Sequence, residues 1–462
     1  MKLLNYEKVF YLIKMFTFFS IILRISYFKF QIKKKNADFQ DKFTKLNINL
    51  NLTFYNNNKR KNKINIAIYA FSLKNGGRSR ITSLLINYLN KINIFKIFLF
   101  TIKIIEEDEY KIPINIKRFQ IKNHLIKIIK KNKIEILIYE LDEIEEINKL
   151  NNYKNLKVIY YQHSSSFDWL YENYTIFKSI YEKFYSSKYI VSIVPFDNDY
   201  LFNKWGLNTI LMTNFMTHEF DSVLSSDLST KTILLIGRGT AKKKRFHIGI
   251  EALEYITKEF PICELIIISK LSGIEKLQNL AKNLNLENNI KFNGYSSSPD
   301  IYFRNASLNI FPSISEAFPM VLSETKIYGI PNIIIGLDYI FNAKGGTVII
   351  YDDQPESLAA EAIKIIEKRE YRKKLGKEAR ISMKKFNNDF VLNDWIKLIL
   401  SIYKGQYYYN KLKEDKKKLS QNDGINILNN QIKLLKMRYK IFENITRNDF
   451  ENYSYLKNIN YF

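Results

Sequence analysis

Short, almost uninterrupted apolar runs recur along this chain in two series, and no other feature narrows the possible folds as far. NKINIAIYAF, IEILIYE, LKVIYY, YIVSIV and NTILMTN lie between residues 64 and 215; KTILLIG, CELIIIS, NNIKFNG, SLNIF, PNIIIG and TVIIY follow. Each run is too short for a buried helix and too apolar for a strand with one face in water. Strands of that kind, alternating with helical stretches, belong to parallel sheets covered on both faces. The polar stretch HEFDSVLSSDLST divides the two series. A chain of 462 residues exceeds a single core, so the pattern predicts an α/β protein of two parallel-sheet domains. Ligands of such sheets bind in the crevice beyond the carboxyl ends of the strands.

Two segments of the second series carry chemistry. In FPSISEAFPMVLSETKIYGIP, residues 311–331, Glu316 and Glu324 stand eight positions apart around an expected helix start. Pro319 suits the first helical position, Gly329 a C′ residue, and Pro331 forbids continuation, so a helix is predicted over 319–328. Its amino terminus presents unpaired N–H groups at residues 318–321 (Phe318, Pro319, Met320, Val321) and the positive end of the macrodipole, a suitable seat for phosphate. Carboxylates on either side can accept hydrogen bonds from sugar or ribose hydroxyls. In TILLIGRGTAKKKRFHIGIEAL, residues 232–253, a strand ends in Gly237-Arg238 and a basic loop leads into a helix. An Arg fork and a Lys point charge are the groups that stabilise a departing pyrophosphate. Gly237 and Gly239 do not make a dinucleotide fingerprint, because Lys242 stands where its third glycine belongs.

Together these segments resemble the donor-binding motifs of glycosyltransferase family 4, retaining nucleotide-sugar-dependent enzymes of the group 1 type with the GT-B fold, in which two Rossmann-like domains face each other across a cleft. The family's Glu, seven residues, Glu, Gly-x-Pro pattern matches Glu316, Glu324, Gly329 and Pro331. Its arginine matches Arg238 and its lysine Lys244, with Lys243 an alternative because the loop is one residue longer here. The resemblance also gives roles to Gly76 and Gly77, in the loop after the first strand, beside the donor phosphates and sugar, and to His163, which ends LKVIYYQH, near the transferred sugar. A histidine that merely caps a strand is the competing reading of His163. Asn214 resembles the end of the family's first domain, with Thr213 in place of a proline, whereas Ser-Lys-Leu-Ser-Gly after CELIII departs from the family's glycine-rich turn. That departure leaves the nucleotide base open.

The resemblance implies transfer of a sugar from a nucleotide-diphosphate sugar to a hydroxyl of a glycan or glycolipid. No cofactor or metal is expected. Asp197-Asn198-Asp199 looks like the metal motif of the other glycosyltransferase fold, but Pro195 before it makes it read as the acidic first turn of a helix. Two competitors have different products: a non-catalytic basic scaffold, which binds no nucleotide sugar, and a nucleotide-sugar epimerase, which needs no acceptor.

The expected division is a leader and linker over 1–62, an acceptor domain over 63–218, a donor domain over 219–385, a closing helix over 386–404 that crosses back to the first domain, and a helical extension over 405–462. The formal charge of +26, from 72 Lys+Arg against 46 Asp+Glu, accompanies a chain saturated with Asn, Ile, Lys and Tyr and no nucleic-acid module, so nucleic acid is not an expected partner. Residues 9–30 are apolar, yet Lys14 and Arg24 bracket only nine uncharged residues, MFTFFSIIL. That run is short for a spanning helix and fits an interfacial anchor, with Lys33, Lys34 and Lys35 facing anionic lipid. The expected location is the cytoplasmic surface of a membrane; a single-pass signal anchor stays open, and no small-residue cleavage site is read. The single cysteine, Cys263, is expected in a core strand as an inert thiol.

Overall fold

The computed structural model describes residues 63–405 except 75, 104–108, 122–123, 141–148, 151, 166–188, 195–208, 295, 297–298, 315 and 336–343. The leader over 1–62, the extension beyond Gly405 and the Asp197–Asp199 motif lie outside the described residues.

The described residues, from Lys63 to Gly405, lie in one compact unit containing two sheets. The first sheet is built from β1 (Ile64–Ala70), β2 (Phe95–Thr101), β3 (Lys117–Gln120), β4 (Ile136–Tyr139), β5 (Lys157–Gln162), β6 (Tyr189–Ser192) and β7 (Thr209–Leu211), in the order β3-β2-β1-β4-β5-β6-β7. The second comprises β8 (Thr232–Ile236), β9 (Glu264–Ile268), β10 (Ile290–Asn293), β11 (Leu308–Phe311), β12 (Asn332–Ile335) and β13 (Thr347–Ile350), in the order β10-β9-β8-β11-β12-β13. Every pairing between these strands is parallel.

All the expected strands are present, and the first sheet gains two. β2 is as apolar as its neighbours, whereas the edge strand β3, KRFQ, is half exposed and polar, so no apolar criterion reveals it. The central strands are buried along their length: Ile66, Ile68, Ile136, Ile138, Ile233, Leu235 and Ile310 are each 0% exposed. The β-branched and leucine side chains that fill these positions suit a pleated surface packed on both faces.

The helices are α1 (Gly77–Asn90), α2 (Leu125–Lys131), α3 (Phe246–Glu259), α4 (Glu275–Asn283), α5 (Asp300–Arg304), α6 (Met320–Ile327), α7 (Pro355–Glu367), α8 (Arg369–Ser382) and α9 (Asn388–Tyr403). α6 is shorter than the predicted 319–328. Pro319 has φ −68° but ψ 112°, so it occupies the N-cap and helical geometry begins one residue later. Gly329 follows the C-cap with φ +72°, the conformation its position demands. Cys263 sits one residue before β9 instead of within it; its thiol donates to the Lys231 carbonyl (3.0 Å), and burial pushes it up to about 12.

The two halves meet at the segment after β7. Asn388, at the start of α9, donates to Tyr88 Oη (2.8 Å) and the Met216 carbonyl (3.0 Å), and accepts from the Met216 amide (2.7 Å). Further along α9, Trp395 packs edge-on against Tyr161 (5.1 Å), and Tyr403 donates to Glu135 (3.2 Å). Both contacts are with the first lobe. Among the described residues no helix is long and apolar enough to cross a membrane.

Candidate active site

Each sheet reverses its strand order once, between β1 and β4 in the first and between β8 and β11 in the second. At such a switch point the two connections leave in opposite directions and open a crevice beyond the strand ends. Most of the residues singled out from sequence occupy these places, while His163 stands at the end of the neighbouring β5. Gly76 lies in the connection from β1 to α1 and Gly77 is the first residue of α1; Glu140, which the sequence did not single out, directly follows β4. Gly237, Arg238, Lys243 and Lys244 follow β8, while Glu316 and the start of α6 follow β11.

The β8 connection runs through a 3₁₀ turn, Lys242–Lys244, to Arg245, whose φ of +51° starts α3. Gly237 has φ +149°, which a side chain resists, and its amide donates to the Ile268 carbonyl (3.1 Å). The turn is fastened to the β11 connection through Lys243: its carbonyl accepts from the Ile314 amide (2.9 Å) and from Ser313 Oγ (3.3 Å). That anchorage aims the neighbouring Lys244 across the loop. Lys244 Nζ forms an ion pair with Glu316 Oε1, and Ser313 Oγ donates to the same oxygen (2.7 Å). The basic loop and the first glutamate therefore share one site. Arg245 turns away to Asp353 (3.3 Å to the carbonyl, 3.4 Å to Oδ2). Arg238 is exposed at the same edge and makes no ion pair with a described residue.

α6 begins without a side-chain cap and with no acidic residue in its first turn. Its first intrahelical bond runs from the Ser323 amide to the Pro319 carbonyl (3.4 Å), which leaves the amides of Met320, Val321 and Leu322 without intrahelical partners. Pro319 has no N–H, so of the expected donors it shapes the entry but cannot bind phosphate. Phe318 is buried and packs edge-on against Phe386 (5.3 Å), which fixes that entry. Beneath the helix, Thr325 Oγ1 donates to Asn332 Oδ1 (2.9 Å), and so does Asn309 Nδ2 (2.7 Å), tying α6 to β11 and β12. Lys326, held well below its ordinary range by burial, donates to the Lys344 carbonyl (2.9 Å).

Glu324 is nearly buried and reaches the first lobe: Arg80 of α1 lies 2.7 Å from its Oε1, and Thr217 Oγ1 donates to the same atom (2.8 Å). Sequence reasoning gave no role to Arg80, because a basic residue one turn into a helix has no local signature.

In the first lobe Gly76 caps α1 with φ +150°, and Gly77 faces open space, with no atom within 4 Å of an added Cβ. His163 follows β5 with a side chain only 5% exposed; its Nε2 lies 3.4 Å from Glu140 Oε1 and its ring packs on Tyr161 (4.1 Å). Glu140 Oε2 accepts from Thr82 (2.7 Å). Glu140 is legible in the sequence as a carboxylate ending an apolar strand, IEILIYE. Among the described residues no cluster of His, Cys, Asp and Glu could hold a metal ion.

Residues 217–382 match the family Glycosyl transferases group 1. An uncharacterized glycosyltransferase of Haemophilus influenzae is 23% identical over 172 residues, 36% of this chain and 48% of that protein. The chain spans less than half the length of the curated relatives it matches. Among solved structures, sucrose-phosphate synthase from Thermosynechococcus elongatus superposes with a TM-score of 0.62 at 14% identity, covering 74% of this chain and 100% of that one. HepE from Anabaena, solved in complex with UDP-glucose, superposes with a TM-score of 0.60 at 15% identity, covering 73% and 100%. The match falls in the second lobe, and the two-sheet scaffold that carries it is the GT-B fold.

Proposed function

We propose that the chain is a retaining glycosyltransferase that moves a sugar from a nucleotide-diphosphate sugar to a hydroxyl of a glycan or lipid-linked glycan. The observation that carries this reading is the Lys244–Glu316 contact at the β8/β11 switch point, in the loop that leads to the uncapped start of α6. The cation and carboxylate neutralise each other while no donor is bound. A diphosphate arriving at the α6 amides takes Lys244 as counter-charge, and Arg238, already exposed, adds a second. Glu316 is then released to orient the hydroxyls of the sugar.

As the glycosidic bond breaks, its electron pair stays with the phosphate oxygen, and Lys244, Arg238 and the amides of Met320 and Val321 stabilise that growing charge. The acceptor oxygen attacks from the same face and passes its proton to the departing phosphate, which retains the anomeric configuration. Gly76 and Gly77 let backbone approach the donor, Glu324 accepts from the ribose, and His163, backed by Glu140, lies beside the sugar. No metal is required in this scheme, because protein cations do its work. The apolar leader and its lysines would hold the protein at the cytoplasmic face of an anionic membrane.

Support for a nucleotide-sugar donor comes also from the UDP-glucose complex of the Anabaena neighbour, which shares this fold. Labelled UDP-, GDP- and ADP-sugars incubated with and without a glycan or glycolipid mixture provide the test. Label moved to an acceptor supports transfer, altered donor without acceptor supports an epimerase, and neither product together with no binding supports a scaffold.

A further inference from the structure

The second glutamate is held in an unusual way. Arg80 Nη1 and Thr217 Oγ1 both engage Glu324 Oε1. No described residue hydrogen-bonds to Oε2, and that oxygen is not among the buried atoms sealed from solvent. The carboxylate is therefore gripped on one side and open on the other. Its side chain is 6% exposed, so Oε2 looks out through a narrow opening. Moreover, the grip comes from the opposite lobe. Arg80 lies on α1, eight residues from Tyr88, which with Asn388 and Glu219 forms the junction between the lobes. Eight residues of helix advance about 12 Å, so the Arg80–Glu324 pair stands well toward the glycine loop that opens α1. It forms only where the two lobes are drawn together.

We infer that Arg80 is a positioning residue of the nucleotide subsite: it fixes Glu324 through Oε1 so that Oε2 accepts from the ribose hydroxyls, and it thereby links the grip on the nucleotide to the apposition of the lobes. The inference rests on the reading of Glu324 as the ribose ligand. Separation of the lobes withdraws Arg80, frees the carboxylate to rotate and weakens the hold on the spent nucleotide. Product release and lobe opening become one event.

The alternative is a purely structural ion pair, and a thermodynamic cycle distinguishes the two. UDP, GDP and ADP and their 2′,3′-dideoxy counterparts are titrated against the full chain, and the tightest-binding base is kept. Hydrogen bonds to a charged group imply that the wild type prefers the ribonucleotide by about tenfold or more. In Arg80→Met that preference should shrink to about twofold, since the deoxy sugar never used the positioned oxygen. Arg80→Lys, which keeps the charge, should recover part of it. Thr217→Val, a milder change that retains the ion pair, should lower it by a smaller factor, and melting curves show that each variant is folded.

Equal weakening of both nucleotides in Arg80→Met, or an unchanged preference, overturns the inference. A wild type that binds the dideoxy nucleotide as well as the ribonucleotide, or binds none of the three, removes the ribose role of Glu324 itself and the inference with it. Failure of the underlying reading thus appears in the wild type, and failure of the inference alone appears only in the variants.

Discussion

In the basic run from Lys242 to Arg245, three residues do three different things, and only the backbone distinguishes them. Lys243 serves through its carbonyl, Lys244 through its ammonium on Glu316, and Arg245 through its fork on Asp353. Replacement of Lys244 by Ala should lower turnover by about a hundredfold or more, as loss of an oxyanion stabiliser does, and by more than Lys243→Ala does. Steady-state rates with a labelled donor check the pair, and the reverse ranking would move the role to Lys243. The glycine loop permits a cleaner separation of structure from function. Gly77 has helical surroundings and free space, so Gly77→Ala should leave the melting temperature unchanged or slightly raised. Its donor KM should nevertheless rise by about tenfold if a ligand approaches that backbone closely. Retained affinity would put the donor elsewhere. Gly76→Ala, forced to φ +150°, should instead lose about 1–3 kcal/mol of stability.

At the level of elements, the strands were legible because burial on both faces writes itself as an apolar run. The edge strand β3 escaped for the converse reason, since none of its residues is buried. Helix α6 was legible in its punctuation, Pro319 and Gly329, although φ alone does not decide where a helix begins and ψ at Pro319 moved the start by one residue. The partners of its two glutamates were not legible. Lys244 and Arg80 lie 72 and 244 positions from theirs, and no local pattern encodes a contact between elements so far apart.

Helix α9 carries a testable charge. Asp394 is raised from 3.8 to about 6, chiefly by burial and against the opposing pull of Lys397. The folded state thus favours its protonated form: the stability this contributes is full below about pH 4 and is lost as pH rises through about 6. Asp394→Asn should accordingly stabilise the protein above pH 6 by about 2–3 kcal/mol and leave it unchanged at pH 4. Denaturant unfolding at the two pH values measures this, and an equal effect at both would remove burial as the cause.

For the molecule as a whole, two sheets each place one switch point, and the candidate residues collect at those points from segments scattered between residues 76 and 324. In the proposed scheme Lys244, Arg238 and the α6 amides would stabilise the leaving diphosphate without a metal, so transfer should persist at its full rate in excess EDTA; abolition reversed by added Mg²⁺ or Mn²⁺ would show that the scheme lacks a component. The central claim is that these groups form one diphosphate seat. Calorimetric titration of UDP, GDP and ADP into the wild type and Lys244→Ala tests it most directly. The account predicts that one of the three binds the wild type and binds Lys244→Ala at least about tenfold more weakly, by loss of a charge-assisted contact. Equal affinity in the two proteins, or no binding by the wild type, would contradict it.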